Sequence, residues 1–362
     1  MQIKADGQNY APKGRASAVC APGEFPVGII GLDHGHIFGM SNGLSEAGAH
    51  LAMVYDPDPE KVAAYCAQYE GVRAARCKEE ILENEQIKMV LSAAVPAQRC
   101  EIGIEAMEHG KHYFADKPPL LTLEQLALAK AAAKRTNRKY AVYYSERRHV
   151  EAAVCAQRLL EEKAIGDIIS ISGFGPHRAS LATRPDWFFD KEQYGGILVD
   201  IGCHQIEQML VYAGARDARI EYSRIANFRH KEYPGFEDFG DMMLTCDNGV
   251  AAYARLDWFT PDGLGAWGDG RTFIVGTDGY IELRKYIDVA NDREGDHIYL
   301  VNHEGERHIK AAGQAGFPFF GQLIRDCLDG TGSAYDQEME FKAIELAIQA
   351  EAMARVIKQE AV

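Results

Sequence analysis

PVGIIGLDHGHIFGM, residues 26–40, decides the fold. A short apolar run, PVGII, leads into Gly31-Leu32-Asp33-His34-Gly35-His36, then into a segment with helical character. This is how the first strand, turn and helix of a dinucleotide-binding unit begin. In the fingerprint G-x-G-x-x-G the second glycine lets the backbone approach a pyrophosphate, and the third packs helix on strand. Counting from Gly31, the chain places Asp33 and His36 there. Asp33 brings bulk and negative charge beside a negative ligand. Gly35 offers an alternative close approach one residue away. Asp33 is expected to cap the following helix. His34 and His36 are expected to face phosphate at its positive end.

Working outward, HLAMVYD reads as a second strand ending at Asp56, 25 residues past Gly31. A carboxylate there binds ribose hydroxyls and repels a 2′-phosphate, which favours NAD over NADP. Strand and helix then alternate. PEKVAAYCAQY reads as a helix with Pro59 near its start, IKMVLSAAV as a buried strand, and AQRCEIGIEAMEHG as a helix stopped by Gly110. HYFADKPP, a helix over 122–136 and KYAVYYS continue the pattern. Such alternation predicts a doubly wound parallel sheet, a Rossmann domain over 26–145. Residues 1–25, polar and without period, read as an arm or disordered tail.

Beyond 146 the texture changes. A helix over 148–163 is followed by strand-like runs joined by turn signals such as Asp247-Asn248-Gly249 and Asp278-Gly279. Hairpins and a mostly antiparallel sheet are expected. A helix over 195–214 interrupts them and another, 336–358, ends the chain. The second domain is placed at 146–362, and the class is α/β.

Composition excludes several functions. The 362 residues are 47% apolar and 25% charged, with a net charge of −14 and no basic block. Nucleic acid and anionic membrane surfaces are disfavoured as partners. No apolar run reaches membrane-spanning length, and the N-terminal stretch lacks a signal core, so a cytoplasmic protein is expected. The eight cysteines show no metal-type spacing and read as reduced. Cys203 reads as a packing residue.

A second constellation lies downstream. Lys117, at the carboxyl end of a predicted parallel strand, is placed to stabilise an alkoxide. Asp200 and His204, four apart on a predicted helix, share a face, and the carboxylate can orient the imidazole as a proton acceptor. Glu207 lies near that face, but without a further ligand cluster no metal is expected. Arg178, Arg184 and Trp187, in PHRASLATRPDWFFD, are candidates to line a sugar site. Hydride transfer from an alcohol needs an acceptor, a base and a positive group for the oxyanion. The glycine loop with Asp56, His204 with Asp200, and Lys117 offer one candidate for each.

VGIIGLDHGH, EIGIEAMEHGKHYFADKPPLLT, GGILVDIGCHQIE and FIVGTDGYIEL together resemble the glucose–fructose oxidoreductase, inositol dehydrogenase and rhizopine-catabolism (Gfo/Idh/MocA) family. Asp116 stands where that family has Glu before Lys-Pro, and Glu207 where its Gly-Gly…Asp-x-Gly-x-His-x-x-Asp segment ends. The resemblance implies a nicotinamide cofactor, a sugar or cyclitol substrate, and an open, largely antiparallel C-terminal sheet. It implies that Lys117, Asp200 and His204 serve proton transfer and hydroxyl binding, and that Lys117 adjoins the cofactor. It implies a homo-oligomer, in which such an arm clasps a neighbour. It leaves open a redox-neutral glycosidase or sugar–sugar oxidoreductase that retains NAD, and a catalytically silent sensing regulator.

Overall fold

The computed structural model describes residues 7–14, 16–291, 293–332 and 336–358. The chain divides into two compact units, one of residues 8–143 and 317–341, the other of 1–7, 144–316 and 342–362.

The first unit holds a six-stranded parallel sheet. Its strands are β1 (Pro26–Ile30), β2 (His50–Tyr55), β3 (Arg73–Ala74), β4 (Met89–Ser92), β5 (His112–Asp116) and β6 (Tyr140–Tyr143), ordered β3-β2-β1-β4-β5-β6. Between them run α1 (His36–Glu46), α2 (Pro59–Gln68), α3 (Glu79–Leu82), α4 (Pro96–Glu108) and α5 (Leu123–Thr136). This is the dinucleotide-binding strand order, with its topological switch between β1 and β4. Local signals set the helix ends. Asp58 accepts from Glu60 N ahead of Pro59, Thr122 and Gln125 form a capping box, and Gly110 takes positive φ after α4.

Two features depart from expectation. Described arm residues pack against α1: Asn42 Nδ2 donates to Ala11 O and Pro12 O, and Gly14 N donates to Glu46 Oε1 at 2.6 Å. Val19 N donates to Ala47 O. Of the two readings of residues 1–25, the disordered tail gives way to an arm among the described residues, because Gly35 and Gly39 leave room for backbone where Cβ atoms would meet Gln8 O and Tyr10 O. The first six residues lie outside the described ones. The second departure is α11 (Pro318–Asp329), which returns to this unit. Its Phe319, Phe320, Leu323 and Ile324 enter the core of Ile37, Met40, Leu44, Phe114 and Tyr143. The Phe320 ring occupies the space a Cβ on Gly43 would take, 2.3 Å from it. The start of α12 (Gln337–Ala352) finishes the sheet edge, where Gln337 and Glu340 side chains accept from Tyr140 N and Val142 N on β6.

The second unit opens with a short α6 (Ser145–Arg148), followed by α7 (Glu151–Glu161), the helix expected over 148–163. A nine-stranded sheet follows, formed by β7 (Ile168–Pro176), β8 (Ala218–Ala226), β9 (Phe239–Cys246), β10 (Ala251–Asp257), β11 (Arg271–Gly276), β12 (Gly279–Arg284), β13 (His297–Asn302), β14 (Gly305–Lys310) and β15 (Arg355–Val356). The order is β14-β13-β12-β11-β7-β10-β9-β8-β15, antiparallel except at β7–β10 and β8–β15. The turn signals close hairpins as expected, with Gly276 paired to Gly279. The final helix stops at Ala352, and the chain adds β15 as an edge strand instead. Between β7 and β8 lie α8 (Lys191–Tyr194), α9 (Ile197–Asp200) and α10 (Gly202–Ala213).

Candidate active site

The first unit presents the loop after β1. Gly31 has φ +86°, and a Cβ there would lie 2.5 Å from the Ala94 Cβ, so only glycine fits this turn. Leu32 N donates to Asp56 Oδ2 at 2.7 Å and Asp58 N to Oδ1 at 2.9 Å, so Asp56 braces the loop from the end of β2. A carboxylate has further acceptor positions, so this bracing leaves capacity for ribose hydroxyls.

Asp33 does not cap α1. That helix begins at His36 after Gly35, with no side-chain cap. The Asp33 carboxylate instead accepts from Val95 N at 3.2 Å and pairs with Lys61 Nζ at 2.6 Å. Adjacency of β1 and β4 brings the start of α4 nearer to Asp33 than its own helix end. The close approach at Gly35 is likewise made by protein, since a Cβ there would lie 2.4 Å from Gln8 O.

His34 and His36 meet Asp116 at the end of β5. Their Nδ1 atoms lie 3.1 Å and 2.8 Å from its two oxygens, and Arg99 Nη2 lies 3.1 Å from Oδ2. Burial alone would raise the Asp116 carboxyl; His36, Arg99 and His34 hold it well below the usual carboxylate range. Burial and the neighbouring His36 push His34 down to about 3, so its ring is neutral. Among the described residues these three form a group compact enough for a metal, with ligand atoms within 4.8 Å of one another. Arg99 already supplies a cation to that carboxylate. Lys117 follows directly: its N–H donates to Asp116 Oδ1, Arg99 donates to its carbonyl, and its bond to Pro118 is cis.

The second unit holds Asp200 and His204. The expected helix over 195–214 is two helices, starting after Gly195 and Gly196 at positive φ and broken at Ile201. Asp200 ends α9; His204 lies in the first turn of α10, its N–H on Ile201 O. Both side chains are buried, and the His204 ring meets Tyr144 edge-on at 5.9 Å. Glu207 is taken up by Arg147, whose Nε donates to both carboxylate oxygens.

The arginines expected to line a sugar site also hold the protein's own loops. Arg178 is buried, and its Nη2 donates to the carbonyls of Pro261, Leu264 and Ala266, stapling that loop. Arg184 Nε donates to Ala179 O, and its guanidinium stacks over Phe188 and Trp258. Trp187 is half-buried beside Phe188.

Sequence reasoning missed His177, Trp258 and Trp267. The His177 ring lies 4.5 Å from Trp267 and 5.3 Å from Trp258, at the carboxyl ends of β7 and β10. Among the described residues the buried Trp258 Nε1 has no acceptor. The alternate glycines 173 and 175 on β7 make room for Gln205 of α10.

Models of known families match both units. The NAD-binding Rossmann fold of the oxidoreductase family matches residues 25–144, and the GFO/IDH/MocA C-terminal domain matches 154–282. The chain belongs to the GFO/IDH/MocA family. As a member it is an NAD(P)-dependent dehydrogenase, with an NAD-binding domain in its first unit. It is 27% identical over 238 residues to scyllo-inositol 2-dehydrogenase (NAD(+)) of Bacillus subtilis (strain 168), spanning 66% of this chain and 67% of that enzyme. A crystal structure from Erwinia carotovora atroseptica SCRI1043, described as an oxidoreductase, is 44% identical with a TM-score of 0.90, covering 92% of this chain and all of that one. Levoglucosan dehydrogenase, solved with NADH and levoglucosan, shares the fold at 21% identity and a TM-score of 0.73, over 91% of this chain and 97% of that one. For a GFO/IDH/MocA loop the fit of a dinucleotide turns on Asp33, whose charge Lys61 offsets. The residues present fit the group.

Proposed function

We propose that the protein is an NAD-dependent dehydrogenase that oxidises a ring hydroxyl of a sugar, glycoside or cyclitol. Its named relatives act on scyllo-inositol, D-xylose and levoglucosan. The observation that carries the reading is His204, an imidazole buried in the first turn of α10 with Asp200 ending the helix before it. Bound NAD supplies the hydride acceptor. Gly31 and Asp56 would form the binding loop, with His34 and His36 held behind it on Asp116, Gly35 against the arm and Asp33 neutralised by Lys61. Lys117 stabilises the alkoxide, His204 takes the hydroxyl proton, and Asp200 orients the imidazole. Trp258 Nε1 offers a donor to substrate.

Nucleotide binding is read first, by native mass with NAD or NADP added, then NADH formation across a panel of sugars and cyclitols. NAD binding without NADP, with turnover lost in His204→Ala and Lys117→Ala, supports the reading. Absence of any nucleotide binding overturns it. Turnover of a glycoside without net NADH would favour the redox-neutral alternative.

We also infer a homo-oligomer. Strand register places Tyr222, Met243, Tyr253, Phe273 and Tyr280 on one face of the second sheet, and Tyr222, Met243 and Tyr280 are exposed there. A monomeric mass in solution would count against it.

A further inference from the structure

Joined to the His204 carbonyl through Gln208 is a charge pair that hydride transfer itself does not call for. Glu146 on α6 and Lys285, just after β12, are both buried, with Lys285 Nζ 3.0 Å from Glu146 Oε2. The same oxygen accepts from Gln205 Nε2 at 2.9 Å. Lys285 Nζ also donates to Gln208 Oε1 at 2.6 Å, and Gln208 Nε2 donates to the His204 carbonyl at 3.0 Å. Glu146 Oε1 is buried without a hydrogen-bond partner. A buried ion pair is costly to desolvate and seldom adds stability, so its presence beside a titrating group calls for another reason.

We propose that Glu146 and Lys285 are positioning residues: through Gln205 and Gln208 they fix the first turn of α10, and their opposed charges set the protonation of His204. The inference rests on the reading of His204 as the base. Burial alone would raise the Glu146 carboxyl, but Lys285, His204 and His177 hold it down at about 2, so the charge persists across the working range. The other groups around this network include Asp200 on α9, the Tyr144 ring with Arg148 over it, Tyr212, and the Arg147–Glu207 pair one turn along α10.

The pair makes opposite predictions for its two members. Glu146→Gln leaves the lysine charge uncompensated and lowers the pH at which His204 titrates. Lys285→Met leaves the carboxylate uncompensated and raises it. Each shift should reach about one pH unit, and the double variant should return toward wild type. The measurement is NMR titration of histidine-labelled full-length protein, with His204 assigned from His204→Gln. Opposite shifts, matched by the acid limb of kcat/KM, support the proposal. Identical titration in all variants, or shifts in one direction, overturns it. Should Glu146→Gln fail to fold, Lys285→Met and the double variant still carry the test. Full turnover in His204→Gln would defeat the base assignment instead, and leaves the titration result distinguishable.

Discussion

His36 Nδ1 lies 2.8 Å from Asp116 Oδ1, a contact across 80 residues of chain that ties the loop after β1 to the end of β5. Lys117 extends from the same carboxylate through its own N–H. The residue that departs from the glycine fingerprint and the residue that departs from the family's Glu-Lys-Pro therefore meet each other. The shorter aspartate leaves room for two imidazoles where the glutamate would project further.

Asp116→Asn should destabilise the protein by about 3–5 kcal/mol, because it strands the buried Arg99 guanidinium. The sign with pH follows from the depressed carboxyl. Its contribution is present above the unfolded value of 3.8 and is lost as pH falls below it. Urea unfolding at neutral and acid pH reads both effects. Unchanged stability would mean that the carbonyls of Ala94, Lys117 and Pro118 suffice for Arg99.

Gly35→Ala tests the ordered arm. The backbone at Gly35 has φ −64°, which alanine adopts freely, so any cost comes from the Gln8 carbonyl. About 1–3 kcal/mol should be lost in the full chain and little in a chain starting at Pro12. Equal losses by thermal unfolding in both would place the strain elsewhere.

Arg178→Lys should lower stability by about 1.5–3 kcal/mol, since an ammonium cannot reach all three loop carbonyls. KM should rise only as far as the loop 259–267 loosens. A raised KM with unchanged thermal unfolding would return Arg178 to the substrate site.

Glu351 carries a pH prediction of the opposite sign. Its carboxyl shares Lys191 with Glu237, while Leu198 N and Ile197 N, at the start of α9, donate to Glu351 and Glu237 respectively. Burial and the neighbouring Glu237 push it up to about 7. The folded state holds this proton more tightly than the unfolded state, so stability is lost as pH rises from 4.5 through 7. Glu351→Gln should therefore gain on wild type as pH rises from 4.5 to about 7, by at most about 1.4 kcal/mol per unit. A pH-independent difference in unfolding free energy would show that the carboxyl ionises early.

Much of the frame was legible because its signals are local. PVGII, HLAMVYD and IKMVLSAAV are apolar runs that only a sheet covered on both faces would bury, and Asp58-Pro59, Thr122 and Gly110 stop and start helices by short-range hydrogen bonds. The place of Lys117 at a strand end was legible, as was the helical setting of Asp200 and His204. The break at Ile201 was hidden, since ILVDIGCHQIE has unbroken helical character. The three loop carbonyls on Arg178 were hidden, because an arginine beside aromatic residues carries the same composition whether it meets sugar or backbone.

The sequence by itself determined the strand–helix alternation of the first sheet, the hairpins of the second, the family, and the residue types at the turn after β1. Those depend on periodicity, caps and glycine conformation within a few residues. The tertiary structure alone decided what Asp33 neutralises, that Gly35 serves the arm, that α11 returns to the first unit, and that Glu146 faces Lys285 across 139 residues. Each of these is a pairing of charge or volume between distant segments. Its energy depends on distances of a few ångströms that linear spacing does not encode.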